Sequence, residues 1–366
     1  MQRTRIWRHF DVWLLAAVAV LTIAGIAMIS SAIAGNETLA GYPTRQAIYA
    51  GIGLVALLIF AAIDYRLWAA LARPIYIVVI AFLGLIMVSG IVGFGSARWF
   101  SIGIATVQPS EIAKIGMILV LANFIAQHEH EINQPRVIVR SLVMIGVPMV
   151  LIFVQPDLST SIVLAVIWLA MVWAVGINIR YLLIMAGAGL ATPFLAWPFM
   201  ADYQRGRVIT FLFPDPQSQY GDTYNVNQAL IAIGSGGVSG QGFGHGTQVQ
   251  LRFLKVRHTD FIFSAMAEEF GFIGAVLLII VLVFIVFRCI RAARNARDTY
   301  GSLISYGVAI VILFQSAFNI GMNLNLFPVS GLPLPFFGYG GSSLLSSLLG
   351  IGLVESVIMR QKKIEL

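Results

Sequence analysis

The stretch FIFSAMAEEFGFIGAVLLIIVLVFIVF, residues 261–287, decides the fold of this chain. Its only charged side chains are Glu268 and Glu269, and it exceeds the ~20 apolar residues that a helix needs to cross the ~30 Å core of a bilayer. A segment inside lipid must satisfy its own backbone hydrogen bonds, which an α-helix does. The stretch therefore predicts a membrane-spanning helix.

Similar apolar blocks lie on both sides of this stretch. The 366-residue chain is 59% hydrophobic and 11% charged, more apolar than the roughly 45–50% of soluble domains. We therefore expect an all-α integral membrane protein with about ten transmembrane helices, residues 1–366 forming a single polytopic membrane domain. The first block has the length of a retained helix, and the single cysteine excludes an internal disulfide. The predicted spans are residues 12–34, 46–63, 74–92, 110–127, 138–154, 158–175, 180–200, 261–287, 301–322 and 341–358.

The net charge of +7 has a topological explanation. An even number of spans places both termini on one side, and short cytoplasmic loops are rich in Lys and Arg. With the termini in the cytoplasm, most of the 23 cations lie inside. They are Arg3, Arg5, Arg8, Arg66, Arg73, Arg136, Arg140, Arg180, Arg288, Arg291, Arg294, Arg297, Arg360, Lys362 and Lys363. We expect a multi-pass protein of the cytoplasmic membrane with both termini cytoplasmic, and no nucleic-acid partner.

One sizeable segment lies outside the predicted spans, the extracytoplasmic loop of residues 201–258 between helices 7 and 8. Loops longer than about 15 residues are usually functional or disordered. This one contains aromatic, amide and glycine residues together with Arg205 and Arg207. Such a composition favours an ordered functional loop.

Polar clusters lie at the outer mouths of three spans, where ionisable side chains are costly and are functional candidates. The first is QPSEIAK, residues 108–114, in which Pro109 suits the first helical turn. Glu111 and Lys114 are spaced to pair on one helix face. A buried ion pair that only fixes helix packing is the alternative interpretation.

The other two clusters centre on aspartates. In QPDLST, residues 155–160, Asp157 could act chemically or only cap the next helix. In RHTDFIF, residues 257–263, Asp260 lies at the water–lipid boundary, where one-sided desolvation raises a carboxyl pKa toward that of a useful general base. Helix capping is again the alternative.

Two glycine-rich stretches also face outward. GQGFGHG, residues 240–246, follows no strand and precedes no Lys-Ser/Thr pair, which excludes a nucleotide loop. GGSS, residues 340–343, opens the last span with bare amides and Ser342 and Ser343, which suits an anion. A turn with a serine cap is the alternative.

Two charged motifs have simpler explanations. HEHE, residues 128–131, lacks the spacing of a zinc motif and is interpreted as a solvated cytoplasmic loop. The arginine stripe between residues 288 and 297 follows from the topology, with contact to lipid head groups as a secondary possibility.

These residues alone suit one class of substrate. Outward cations, amide-rich helix starts and an interfacial carboxylate fit a lipid-linked diphosphate sugar and an acceptor hydroxyl that must lose a proton. Such a substrate contains its own leaving group, the lipid diphosphate, so the sugar can be transferred without a nucleotide.

At these motifs the chain resembles the SEDS family (shape, elongation, division and sporulation), over nearly its whole length. The matching stretches are residues 97–99 (ARW), 108–111 (QPSE) with Lys114, 155–160 (QPDLST), 258–263 (HTDFIF), 268–269 (EE) and 340–343 (GGSS). HGTQ, residues 245–248, ahead of Phe253 and Leu254 is more similar to the elongation branch than to the division branch. The chain departs from the family at residues 255–257 (KVR) and at Gly338.

The resemblance implies a peptidoglycan glycosyltransferase of GT-C-like membrane glycosyltransferase architecture. It implies polymerisation of lipid II onto a nascent glycan strand, a class B penicillin-binding protein as transpeptidase partner, and a divalent cation, Mg²⁺ or Mn²⁺, at an unassigned site. Asp260 corresponds to the catalytic aspartate, the general base of an inverting reaction. The candidate substrate-binding residues are Arg98, Trp99, Gln108, Glu111, Lys114, Asp157, Arg205, Arg207, His258, Thr259, Ser342 and Ser343.

Two other functions remain open at this point. A flippase for the same lipid would use the outer anion sites and a polar path, for which Glu111, Lys114, Glu268, Glu269 and Glu355 are candidates. Because all but Glu355 are expected in the outer half, chemistry at the surface is favoured. A non-catalytic scaffold would tolerate the loss of Asp260.

Overall fold

A computed structural model describes residues 7–89, 91–93, 96–102, 105–214, 221–254 and 256–361. Long helices form the bulk of the protein, and their bounds follow the apolar blocks of the sequence. They are α1 (Val12–Ala32), α2 (Tyr42–Ala62), α4 (Ala72–Ser89), α5 (Pro109–Gln127), α6 (Pro135–Val154), α7 (Leu158–Ala174), α8 (Ile179–Ala196), α12 (Ile262–Arg294), α13 (Thr299–Asn323) and α14 (Gly341–Ile358).

The membrane-spanning character of the bundle is confirmed. Among the described residues, seven helices are long and apolar enough to cross a bilayer, and α4, α7 and α8 contain shorter apolar segments. Together they account for the expected number of about ten. Many outward aliphatic side chains are exposed, such as Ile23, Val143 and Leu183, which is the surface that a lipid-facing bundle needs.

Contacts sort the helix ends into two faces. On one, which we call the terminal face, the Asp11 amide donates to Glu355 Oε2 at 3.0 Å and Tyr65 Oη donates to Asp298 Oδ2 at 2.8 Å. On the opposite face, which we call the site face, the Gln46 amide group donates to the Gly338 carbonyl at 3.2 Å. Asp260 belongs to the site face, because Asn319 and Asn323 near the end of α13 bond its carbonyl.

Several short elements were not predicted. A three-stranded antiparallel sheet of order β1-β2-β3 joins α4 to α5. It consists of β1 (Ile91–Gly93), β2 (Ser96–Ile102) and β3 (Ala105–Val107). The third span therefore ends at Ser89 rather than at residue 92. The remaining helices are α3 (Tyr65–Ala70), α9 (Asp202–Leu212), α10 (Gly221–Gly236) and α11 (Thr247–Gln250), the last three inside the large loop.

Helix α12 is interrupted on the site face at Gly271, whose φ of 66° is readily reached only by glycine. The segment after α10 replaces the missing helical hydrogen bonds. The amides of Gln241 and Gly242 donate to the Glu268 and Glu269 carbonyls at 3.0 and 2.9 Å, and the Phe272 amide donates to Gly237 at 2.9 Å. The loop is thus fastened to the helix that follows Asp260.

Candidate active site on the site face

Asp260 lies just before the first turn of α12. The N-cap of that helix is Phe261, which makes no side-chain capping bond, so the capping interpretation of Asp260 is wrong. Its side chain is half-buried. Its carbonyl oxygen accepts hydrogen bonds from Asn319 Nδ2 at 3.2 Å and Asn323 Nδ2 at 3.0 Å. The backbone that carries the carboxylate is therefore held in place by α13.

The two asparagines are themselves fully buried. Asn323 Oδ1 accepts from the Ser264 amide at 3.2 Å and from Ser264 Oγ at 2.6 Å. Asn319 Nδ2 also donates to the Leu332 carbonyl at 2.8 Å. The pair thus connects the Asp260 loop to α12 and to the segment before α14. Sequence reasoning missed both residues, although carboxamides four apart in an apolar span are a signal for such a role.

Two charges from the large loop act on the Asp260 carboxyl. Burial raises its pKa to about 6; the Arg207 guanidinium opposes the rise and the Asp222 carboxylate adds to it. Arg207 and Asp222 are themselves paired at 3.6 Å between Nε and Oδ2. A carboxylate with such a pKa is mostly ionised at neutral pH and is a competent proton acceptor. Asp222 was not among the sequence candidates.

His258 belongs to an aromatic group beside Asp260. Its ring lies edge-on to Tyr42 with centroids 5.4 Å apart, and Tyr42 stacks on Tyr339 at 4.4 Å. Burial and the neighbouring Arg257 guanidinium lower the pKa of His258 to about 4, so the imidazole is neutral at pH 7. Thr259 Oγ1 donates to the Val256 carbonyl at 3.2 Å. His258 therefore provides shape and a neutral polar edge rather than a positive charge.

The first and second sequence clusters meet. Asp157 caps α7 by accepting from the Thr160 amide at 3.2 Å, so capping is confirmed. Its Oδ2 also accepts from Gln108 Nε2 at 3.1 Å and from Ser110 Oγ at 3.4 Å. Asp157 consequently does more than cap: it ties the start of α7 to the start of α5.

Ser342 joins α14 to the same region. Its hydroxyl accepts from the Gln108 amide at 3.0 Å and donates to the Thr106 carbonyl at 3.0 Å. Ser343 is buried. The Ser342 hydroxyl is thus engaged in holding the sheet to α14, and an anion at this helix start stays a prediction.

Glu111 and Lys114 form the predicted ion pair, with 2.8 Å between Oε2 and Nζ. Both side chains are almost completely buried, and Ser346 Oγ donates to Glu111 Oε2 at 3.1 Å. The pair lies in the first turns of α5, so it stabilises the helix start that directly follows Gln108.

Arg207 lies between the two groups of polar residues. It lines a cavity of about 70 Å³ with Asp157, Ser159 and Ser330. It also lines a smaller cavity of about 30 Å³ with Asp222. An anion bound at Arg207 would therefore be near both the Asp157 group and the Asp260 group.

One candidate, Arg205, is engaged elsewhere. Arg205 donates from Nε to the Trp197 carbonyl at 3.1 Å and from Nη2 to the Pro198 carbonyl at 2.9 Å, so its guanidinium is occupied by the turn after α8. Arg98 and Trp99 belong to β2, but their side chains lie outside the described residues.

A glutamate of the predicted 268–269 pair has a structural partner. Glu268 is buried and accepts from the Gln248 amide at 2.8 Å and the Val249 amide at 3.2 Å, the free N–H groups at the start of α11. Thr247 Oγ1 adds a bond of 3.2 Å. Glu268 therefore holds the large loop against α12 and does not line a polar path for lipid translocation.

The implied divalent cation requires a set of ligands. Within the described ranges, no three His, Cys, Asp or Glu side chains come together in a way that could hold a metal ion. The protein side chains of these ranges thus do not fit a cation held by protein alone, and the cation implied by the resemblance stays a prediction.

Known proteins provide an independent comparison. The chain is 36% identical over 358 residues to the peptidoglycan glycosyltransferase MrdB of Escherichia coli strain K12, covering 97% of this chain and 95% of that protein. It is 35% identical over 373 residues to a probable peptidoglycan glycosyltransferase FtsW of Hydrogenovibrio crunogenus, covering 99% and 94%.

Solved structures give the same result. A chain of a structure described as "Structural coordination of polymerization and crosslinking by a peptidoglycan synthase complex" matches with a TM-score of 0.81 at 30% identity, covering 95% of this chain and 97% of that one. The rod shape determining protein RodA of Thermus thermophilus matches with a TM-score of 0.71 at 29% identity, covering 97% and 98%. The family model described as "Cell cycle protein" matches residues 8–363. The chain therefore belongs to the FtsW/RodA/SpoVE family, the SEDS family that its motifs resemble.

Proposed function

We propose that this protein is a peptidoglycan glycosyltransferase that joins lipid II disaccharide units into β-1,4 glycan strands at the outer face of the cytoplasmic membrane, during cell elongation. The names of its relatives support the activity. The observation that carries the mechanism is the carboxylate of Asp260, whose backbone is fixed by two buried carboxamides and whose pKa is about 6 beside Arg207.

In the proposed reaction, Asp260 accepts the proton of the acceptor 4-hydroxyl as that oxygen attacks the anomeric carbon of the donor strand. The lipid diphosphate leaves from the opposite side, so an α-linkage becomes a β-linkage. Arg207 stabilises the charge that develops on the leaving diphosphate. Gln108, Glu111, Lys114 and Asp157 shape the neighbouring wall. We propose His258, Thr259, Ser342 and Ser343 as further lining groups.

The proposed orientation places the site face outside and both termini in the cytoplasm. The distribution of Lys and Arg supports it, because Arg66, Arg288 and Arg360 all lie on the terminal face. Lipid-linked precursors would then be polymerised where no nucleotide is available, which suits a substrate that contains its own leaving group.

We propose a class B penicillin-binding protein as the transpeptidase partner. The support is the similarity to a chain of a peptidoglycan synthase complex that couples polymerization and crosslinking. A divalent cation, Mg²⁺ or Mn²⁺, would have to be held mainly by substrate oxygens, since such ions often bind one or two carboxylates plus phosphates.

Two alternatives have less support. A lipid II flippase would need polar groups along its whole depth, whereas Glu268 is saturated by loop donors and Lys114 is paired with Glu111. A division role, as for FtsW, differs by only 1% in identity to the relatives compared; the elongation assignment depends on the residue 245–248 motif and on the similarity to RodA.

The test is gel-resolved polymerisation of purified lipid II by the protein with its partner, whose transpeptidase is blocked. Asp260→Asn keeps the size of the side chain but removes the base, so we expect a rate about 10²–10⁴-fold lower. Asp202→Asn is the matched control, because Asp202 is an exposed carboxylate of the large loop and its loss should leave the rate unchanged. Equal rates for wild type and Asp260→Asn would refute the assignment of the base, and lipid II crossing liposomes without any polymer from wild type would favour the flippase.

A further inference from the structure

A cavity of about 510 Å³ opens on the terminal face, on the other side of the bundle from Asp260. The 3₁₀ turn Glu129–Glu131, the end of α7, the end of α12 and the start of α13 form its wall. Small-molecule sites usually measure about 300–1,000 Å³. The cavity is therefore large enough for a ligand, and the proposed polymerase reaction does not use it.

Two guanidinium groups line this cavity, those of Arg294 and Arg297. Arg294 and Arg297 are exposed, and neither forms an ion pair or a hydrogen bond with the residues for which the structure gives a placement. Arg288, two turns earlier on α12, is by contrast paired with Asp11. The cavity thus contains two cations that are free to bind an anion.

Of the two carboxylates in the cavity wall, Asp298 is already engaged. Asp298 accepts from Tyr65 Oη at 2.8 Å, from Arg66 Nε at 3.0 Å and from the Gly301 amide at 2.8 Å. Glu129, the other carboxylate of the wall, has Oε1 at 3.9 Å from Nε2 of the exposed His130, which is too far for a hydrogen bond, so one negative charge faces the two arginines. Since Asp298 is neutralised from outside the cavity, its charge does not cancel that of the two arginines.

The depth of the cavity indicates the source of the anion. Beyond its interruption at Gly271, helix α12 runs on to Arg294, a stretch of about 35 Å at 1.5 Å per residue, so its last turn extends past the ~30 Å hydrocarbon core. Arg294 ends this helix and Thr299 begins the next one. Both therefore lie at the level of the lipid head groups, with the Ser302 hydroxyl as a further donor in the wall.

We propose that this cavity is a binding site for a phosphate-bearing anion, and that its ligand is the head group of an anionic phospholipid. Arginine forks match phosphate oxygens in geometry and form short charge-assisted hydrogen bonds with them. A diffuse attraction between a basic helix end and an anionic leaflet would involve every arginine of the stripe equally. A built site involves only those that line the cavity, and Arg291, although exposed on the same helix, does not.

This difference gives a matched test with the full-length purified protein. The thermal midpoint is measured by intrinsic tryptophan fluorescence while short-chain phosphatidylglycerol is titrated, with short-chain phosphatidylcholine and inorganic phosphate as parallel arms. We compare wild type, the double variant Arg294→Gln/Arg297→Gln and the control Arg291→Gln. The double variant should need at least tenfold more phosphatidylglycerol for the same rise in midpoint, and the control should behave as wild type.

Other outcomes overturn the proposal in distinct ways. An equal loss in Arg291→Gln would show a diffuse basic surface, and an equal response to phosphatidylcholine would show that the phosphate charge is not recognised. A full response to inorganic phosphate would replace the lipid by free phosphate as the ligand. Should the double variant not fold, Ser302→Phe fills the cavity from α13 and should abolish the response. Polymerase activity is not a readout, so failure here leaves the proposed function untouched.

Discussion

The raised pKa of the Asp260 carboxyl predicts how the polymerisation rate depends on pH. Burial raises its pKa from 3.8 to about 6, and the base works only when ionised. Activity should therefore be present above pH 6 and fall about tenfold per pH unit as the pH drops through that value. The measurement is kcat/KM for lipid II polymerisation between pH 4.5 and 8. Activity that is undiminished at pH 4.5 would show that the carboxylate is solvated during turnover.

The two charges near Asp260 should move the acid limb of the pH–activity profile in opposite directions. Arg207 lowers the pKa of Asp260 and Asp222 raises it. Arg207→Gln should therefore shift the acid limb above pH 6, and Asp222→Asn should shift it below, whatever either change does to the absolute rate. Shifts in the same direction for both variants would contradict the arrangement. Asp202→Asn, in the same loop, provides the unshifted control.

Asn323 should act on rate rather than on substrate binding. Its Nδ2 holds the Asp260 carbonyl while its Oδ1 accepts twice from Ser264. Asn323→Asp keeps the acceptor and loses the donor, so we expect kcat to fall about tenfold or more with little change in KM, because the base is misplaced. A rise in KM with unchanged kcat would mean that the asparagine supports the binding groove instead.

For individual residues, the sequence identified the candidate catalytic side chain but not the residues that hold it in place. Asp260 is identifiable as a functional candidate because an ionisable side chain at a span entrance is costly, but the sequence alone does not separate it from Asp157, which caps its helix. Asn319 and Asn323 look like ordinary polar residues until the fold brings α13 against the Asp260 loop. Arg205 and Arg207 are equivalent by charge alone. The structure distinguishes them, because backbone carbonyls hold Arg205 whereas Arg207 pairs with Asp222 and lines two cavities.

The contact between Glu268 and α11 joins the large loop to α12. Glu268 accepts from two free amides of that short helix and from Thr247 Oγ1. Glu268→Ala leaves these donors unbonded, at a cost of about 1–3 kcal/mol for each buried unsatisfied group. We expect faster amide hydrogen exchange in residues 237–254, with α13 as an unaffected internal reference. Unchanged exchange in the loop would show that the backbone bonds to Glu268 and Glu269 carbonyls suffice.

The accuracy of the predicted elements follows from the strength of the apolar signal. Spans such as α1 and α14 start at the predicted residue, because lipid demands an unbroken apolar helix. The sheet between α4 and α5 is built of strands as short as three residues, which a span-length window cannot resolve. The helices inside the large loop have mixed polarity, and their positions are set by contact with α12 and α13 rather than by periodicity.

The whole molecule has one property that every functional conclusion depends on, namely which face lies outside. Its single cysteine, Cys289, is buried, so Cys289→Ala provides a background without reactive thiols. Phe253→Cys then reports on the exposed surface of the site face, and Glu131→Cys on that of the terminal face. In spheroplasts, an impermeant maleimide should modify the variant at 253 directly and the variant at 131 only after permeabilisation. The reverse pattern would place Asp260 in the cytoplasm, where externally presented lipid II could not reach it. The same result would also overturn the proposed outward polymerisation, even though the geometry around Asp260 would be unchanged.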